Sequence, residues 1–325
     1  MTAVRLTISG VVFPLILPLA VAAQVPAMSA LEREVSEGPP AAVISTSSSE
    51  LQKALASKNY ERAEQLLADA IARQPASQSL LTQIAGVFML DRKPLNAAIA
   101  LKKAEALGPL NGPTRLQLAL AYIAMRRGDW ARPELERLAT DDPANVVPLY
   151  WLARLDYDAG QYASAIDRLQ RVVAREPALV RGHDNLALCY EALNQPEEAI
   201  GHYREAIRLN RADTKTASPW PLLNLGILLR TRGELDEAEG LFREALAVDP
   251  RFAPGHYQLG VVLEERGRLD DALGSLRQAI SMDQSYAEPY YALSRIYRGR
   301  GQTAEADAAM NQFKRLRESG RERSR

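Results

Sequence analysis

An all-α solenoid of about eight stacked helix hairpins is the fold this sequence predicts, and three observations carry the prediction. Pro75, Pro109, Pro143 and Pro177 each lie 34 residues apart. Ala63, Ala97, Ala131, Ala165 and Ala199 keep the same step, and Ala238, Ala272 and Ala306 resume it after a five-residue insertion. Between these markers, apolar residues recur at three- and four-residue steps, as on one face of a helix. A hairpin of two such helices cannot bury both of its faces alone, so stacking on its neighbours supplies the core.

The element that sets the pattern is Val146 to Pro177 (VVPLYWLARLDYDAGQYASAIDRLQRVVAREP). Its first helix is expected to end near Ala159, with Gly160 supplying the left-handed residue after a helix C-terminus. The second starts near Tyr162 and stops at Pro177, which cannot continue a helix.

Residues 1–23 (MTAVRLTISGVVFPLILPLAVAA) precede the array. Arg5, the apolar run Ile8–Leu19 and the small residues Ala20–Ala23 read as a cleavable export signal, cut before Gln24. The run is shorter than the roughly 18 residues a spanning helix needs, so no stable membrane span is expected once the signal is removed. Residues 24–49, rich in Ala, Ser and Pro, read as a flexible linker with a turn or two of helix near Ala30–Val35.

The solenoid follows over 50–318, with units near 44–77, 78–111, 112–145, 146–179, 180–213, 219–252, 253–286 and 287–318. The first unit has a truncated first helix. The third departs from the pattern, because Gly128 comes two residues late and Pro133 falls inside the second helix, so a distorted turn is expected there. The extra residues lie within Ala212–Ser218 and lengthen either the connection or a helix end. The small residues Ala85, Ala119, Ala153, Ala187, Gly226 and Gly260 are expected to let the two helices of a hairpin cross closely. A basic tail, 319–325, is expected to fray.

Composition narrows the function classes. Forty Lys and Arg balance forty Asp and Glu among 325 residues. This leaves no net field to argue for nucleic acid, and none is expected as a partner. The single cysteine, Cys189, excludes an intrachain disulfide and reads as a small core residue. No phosphate loop, HExxH, CxxC or GxSxG is present, so no enzyme activity, cofactor or metal is expected. His183, His202 and His256 read as packed or surface histidines. The acidic pairs Glu197-Glu198, Asp236-Glu237 and Asp270-Asp271 open second helices, where they complement the helix dipole.

The period of 34 and the alanine pattern resemble the tetratricopeptide repeat (TPR) family over nearly the whole chain. The resemblance implies a right-handed superhelix with the first helices lining its concave side. It also implies which positions face that groove: Tyr150, Trp151, Arg154, Asn185, Trp220, Asn224, Arg230, Tyr257, Gln258, Tyr291 and Arg295. Aromatic and arginine residues of this kind anchor binding surfaces. The expected role is a non-catalytic scaffold that takes a peptide or protein segment in the groove. The repeats also look similar to those of O-linked N-acetylglucosamine transferase, whose groove asparagines correspond to Asn185 and Asn224. The expected location is outside the cytoplasm, in a bacterial periplasm or secreted. The alternative is an accessory TPR subunit of an envelope polysaccharide synthesis, export or secretion machine.

Overall fold

The computed structural model describes residues 49–212 and 217–323. The expected export signal and all of the linker but Ser49 lie outside the described residues. Those residues form sixteen helices and no strand. They are α1 (Ser49–Ala56), α2 (Tyr60–Arg73), α3 (Gln78–Leu90), α4 (Pro94–Leu107), α5 (Gly112–Ala124), α6 (Gly128–Asp141), α7 (Val146–Asp158) and α8 (Tyr162–Arg175). Then come α9 (Val180–Ala192), α10 (Pro196–Ala212), α11 (Trp220–Thr231), α12 (Leu235–Val248), α13 (Ala253–Glu265), α14 (Leu269–Met282), α15 (Glu288–Gly299) and α16 (Thr303–Arg323). Odd-numbered helices are the first of each hairpin and even-numbered helices the second. Each helix packs mainly on the one before and the one after it, which is the linear architecture of a solenoid.

The sequence period reappears in the backbone. Every turn inside a hairpin places one residue in the left-handed region at the same repeat position. These are Lys58, Arg92, Arg126, Gly160, Asn194, Gly233, Gly267 and Gly301, with φ between 55° and 80°. The expected distortion of unit three is absent. Arg126 takes the left-handed position at φ 57°, and α6 runs unbroken through Pro133 from Gly128 to Asp141. Gly128 serves packing instead, since a Cβ there would meet Leu155 Cδ2 of the next unit at 3.0 Å. Ser77, Asn111 and Asn145, again 34 residues apart, cap α3, α5 and α7 with their side-chain oxygens.

The small residues fulfil their expected role. Ala85, Ala119, Ala153, Ala165, Ala187 and Ala199 are wholly buried. Gly226 and Gly260 replace alanine where Phe242 and Leu276 crowd the crossing, with hypothetical Cβ contacts of 2.5 and 2.7 Å. Cys189 is buried among Leu186, Leu169 and Val172, and burial pushes its thiol up to about 12.

The insertion takes both forms allowed by the sequence. Helix α10 has 17 residues where α8 and α12 have 14. The connection after it is closed by Asn210, whose Nδ2 donates to the Ser218 carbonyl (2.6 Å) while its Oδ1 accepts from the Ser218 amide (3.1 Å). At the other end, the tail does not fray at Ser319, because α16 continues to Arg323.

Charged residues join the units. Arg232, Arg266 and Arg300 share one repeat position at the ends of first helices. Each reaches an acidic residue in the first turn of the preceding unit's second helix, namely Glu197, Asp236 and Asp270. The acidic pairs therefore do more than complement a helix dipole. Asp156 is the deepest such link. Its Oδ1 accepts from Arg132 of the preceding unit and its Oδ2 from Arg168 of its own hairpin, both at 2.8 Å, with 1% of the aspartate side chain exposed.

Candidate functional site

All eleven groove residues named above sit on first helices, α7 through α15. First helices of successive units touch one another along the array (α3 on α5, α7 on α9, α11 on α13, α13 on α15), whereas second helices do not approach to that extent. The first helices therefore line the inner side of the curve.

Burial divides the eleven. Tyr150 and Asn185 are closed off, at 4% and 6% exposure. Asn185 donates through Nδ2 to the Tyr150 hydroxyl (3.0 Å) and accepts at Oδ1 from Arg154 (3.1 Å). Its amide is spent on joining α7 to α9, so it stands at a core position and is not presented to a ligand. Trp151 lies edge-on to Tyr150 at 5.6 Å, and Trp220 edge-on to Phe252 at 4.9 Å. Tyr257 packs edge-on against Tyr286 at 5.4 Å. These three aromatics are half-buried, with rings fixed by neighbours and one side left toward the groove. Tyr291 is the open one, 45% exposed, with the Arg295 guanidinium 5.9 Å from its ring centre.

Two of the three groove arginines are paired with carboxylates. Arg230 pairs with Glu265, and Arg295 grips Glu264 through two contacts of 2.8 and 2.6 Å. Asn224 donates to Asp184 at 3.1 Å. Asp184 is nine-tenths buried, and burial pushes its carboxyl up to about 6, against the opposing pull of Asn224, Arg154 and Arg181. Glu191 is likewise raised by burial while it accepts from Tyr203 (3.0 Å).

A carboxylate with a raised folded pKa opposes folding once it ionises. The penalty is absent below the unfolded value near 4 and complete above about 6. Asp184→Asn keeps the acceptor for Asn224 but removes the charge. It is expected to raise stability at pH 7 by roughly 1–2 kcal/mol, somewhat less than the net shift because an amide replaces the protonated acid imperfectly. The gain should vanish toward pH 4. Urea midpoints of both proteins across that range measure it, and a pH-independent difference would refute the assignment.

Among the described residues, two groove atoms have no partner. Arg230 Nε and Gln258 Oε1 are buried without a hydrogen bond. One is a donor and the other an acceptor, on neighbouring first helices.

The histidines hold one arrangement that residue spacing does not reveal. His183 Nδ1 lies 3.3 Å from His202 Nδ1 across their hairpin, and His183 Nε2 lies 3.1 Å from the Pro177 carbonyl. Burial, then the neighbouring His183, depresses the His202 pKa.

A solenoid of helix hairpins with a first-helix groove defines a class of repeat scaffold, and comparison with known families identifies the repeat. Tetratricopeptide repeat models match residues 129–188, 178–251, 223–287 and 287–319. Together they cover more than half of the sequence without a gap, and the chain belongs to the tetratricopeptide repeat family. No curated protein matches it.

Among solved structures, the APC/C hetero-tetramer Cut9-Hcn1 aligns at a TM-score of 0.60 and 18% identity. That alignment covers 76% of this chain and 48% of the other, so the chain spans about half of that neighbour's length. PilW, a widely conserved type IV pilus biogenesis factor, aligns at 0.55 and 21% identity, over 62% of this chain and 91% of its own. The human IFIT1 dimer with PPP-AAAA aligns at 0.51 and 19% identity, over 80% and 69%. These likenesses are of fold.

Proposed function

We propose that this chain is a non-catalytic interaction scaffold that holds an extended segment of a partner protein against its first helices. The observation that carries this reading is the unpaired Arg230 Nε and Gln258 Oε1. Burying an unsatisfied donor or acceptor costs about 1–3 kcal/mol. The free protein bears that penalty at two points of the same surface. An extended peptide offers a carbonyl and an amide along its backbone, the complementary pair. Re-aiming the two side chains toward such a ligand recovers what the free state forgoes. Trp151, Trp220 and Tyr257, already fixed by neighbouring rings, add apolar area at small entropic loss.

Selection of peptides from a random library on the purified protein supplies a ligand for the test. Titration calorimetry should then show Arg230→Ala with Gln258→Ala binding 10- to 100-fold more weakly, with an unchanged circular dichroism spectrum. Equal affinity in the folded variant would exclude this part of the groove.

The same reading places the protein outside the cytoplasm, on the strength of the charged, apolar and small-residue order of residues 1–23. N-terminal sequencing of protein from its native host should begin at or near Gln24, and an intact Met1 in the cytosolic fraction would refute export. In that compartment, an accessory role in an envelope polysaccharide or secretion machine is the narrower alternative. Co-purification with such subunits would favour it.

A further inference from the structure

The histidine pair of unit five has a geometry that neither the peptide groove nor the packing of the array uses. His183 on α9 and His202 on α10 are both half-buried, and their Nδ1 atoms lie 3.3 Å apart. The Pro177 carbonyl can only accept, so His183 Nε2, 3.1 Å away, carries a proton. In the neutral ring His183 Nδ1 is then a bare lone pair, and His202 supplies the proton between the two rings.

This separation is that of two ligands on one metal ion. Tetrahedral zinc, about 2.0–2.1 Å from each imidazole nitrogen, holds two of them about 3.3–3.4 Å apart. The right angles of a square-planar centre would draw them to about 2.9 Å at the same bond length. The surroundings agree. A metal-bound imidazole commonly donates its other N–H to a carbonyl or carboxylate, which fixes ring and tautomer. His183 already makes that bond to Pro177. The His202 ring stacks on Tyr190, with centroids 5.4 Å apart and planes 4° apart, and Gln170 holds the Tyr190 hydroxyl at 3.1 Å. Glu205, one turn after His202, adds a negative charge that acts on both rings, while Arg208 grips its carboxylate. Burial and the neighbouring His183 lower the His202 pKa, which keeps that ring neutral, as a ligand must be.

We propose that His183 Nδ1 and His202 Nδ1 bind one Zn²⁺ ion across the α9–α10 hairpin. Both rings stay neutral, because the proton that His202 holds on Nδ1 passes to its Nε2 through solvent. Among the described residues no third His, Cys, Asp or Glu is placed to join them, so water fills the other two positions and the affinity is modest. The ion ties together the two helices that precede the insertion, and the site is independent of the peptide groove.

Unit seven supplies an internal control. His256 occupies the repeat position of His183, with its Nε2 3.0 Å from the Pro250 carbonyl. Ser275 stands where unit five has His202, and the chain has no fourth histidine.

Titration calorimetry of the untagged protein with zinc chloride near neutral pH tests the site. One ion per chain is expected. His183→Gln and His202→Gln should each weaken binding by at least about tenfold, the loss that even an outer partner's removal brings. His256→Gln should bind as the parent does, and circular dichroism checks that each variant folds. Imidazole nitrogen NMR signals of the unmutated chain give a readout that no variant's folding can confuse, since zinc should move the Nδ1 signals of two of the three histidines. No binding at millimolar zinc would overturn the proposal, as would unchanged binding by folded His202→Gln or loss of binding in His256→Gln. So would one ion per two chains, which would move the metal to a contact between copies.

Discussion

Asp156→Ala is expected to lower stability by about 2–4 kcal/mol, because it removes the shared partner of two arginines from a buried position. The carboxylate is 1% exposed and accepts one 2.8 Å contact on each oxygen, from Arg132 on α6 and Arg168 on α8. Hydrogen bonds to a charged group of this kind contribute about 1.5–3 kcal/mol each. The loss falls around and below the low end of the summed range, because both arginines are partly exposed and turn to water once released. The exposed Asp167, nearby on α8, provides the comparison, and Asp167→Ala should stay within about 0.5 kcal/mol. Urea midpoints by circular dichroism decide the matter. Similar midpoints for both variants would mean that the link between units three and four contributes nothing.

Gly226→Val should cost about 3 kcal/mol by overpacking. A Cβ at this position falls 2.5, 2.9 and 3.0 Å from three atoms of the Phe242 ring. That ring is itself fully buried, so it has no empty side to turn into. Gly226→Ala should cost less, since alanine regains about 1 kcal/mol of helix propensity. Shortening the opposing ring in Gly226→Val with Phe242→Leu should restore part of the loss, so the two changes are non-additive. Strict additivity would show that the two helices do not meet at this crossing.

Much of the fold was legible because the period repeats its own evidence. Ala165 alone is weak, but eight residues in phase fix the hairpin register, and α2 through α9 begin where that register places them. Arg126 shows where a local rule failed. Gly128 suggested a displaced turn, yet the array imposes its geometry and a non-glycine residue adopts the left-handed conformation. Arg92, Lys58 and Asn194 do the same.

The site was less legible, for two physical reasons. A repeat position assigns a helix face but not a depth, so Asn185 looked available although it lies between α7 and α9. Groove positions also say nothing of the outer face, where α4 adds the exposed Leu95 and Ile99 on the side away from the buried Ala97, Leu101 and Ala104.

The Asn210–Ser218 clasp has a mechanical consequence. One core cluster joins Tyr203 and Ile207 to Leu222, Leu225 and Phe242, so unit five rests directly on unit six. A pull applied at the two ends is transmitted through these packed helices. The clasp ties the end of α10 to the residue leading into α11, so a reporter peptide spliced between residues 212 and 217 should leave the stiffness of the array unchanged.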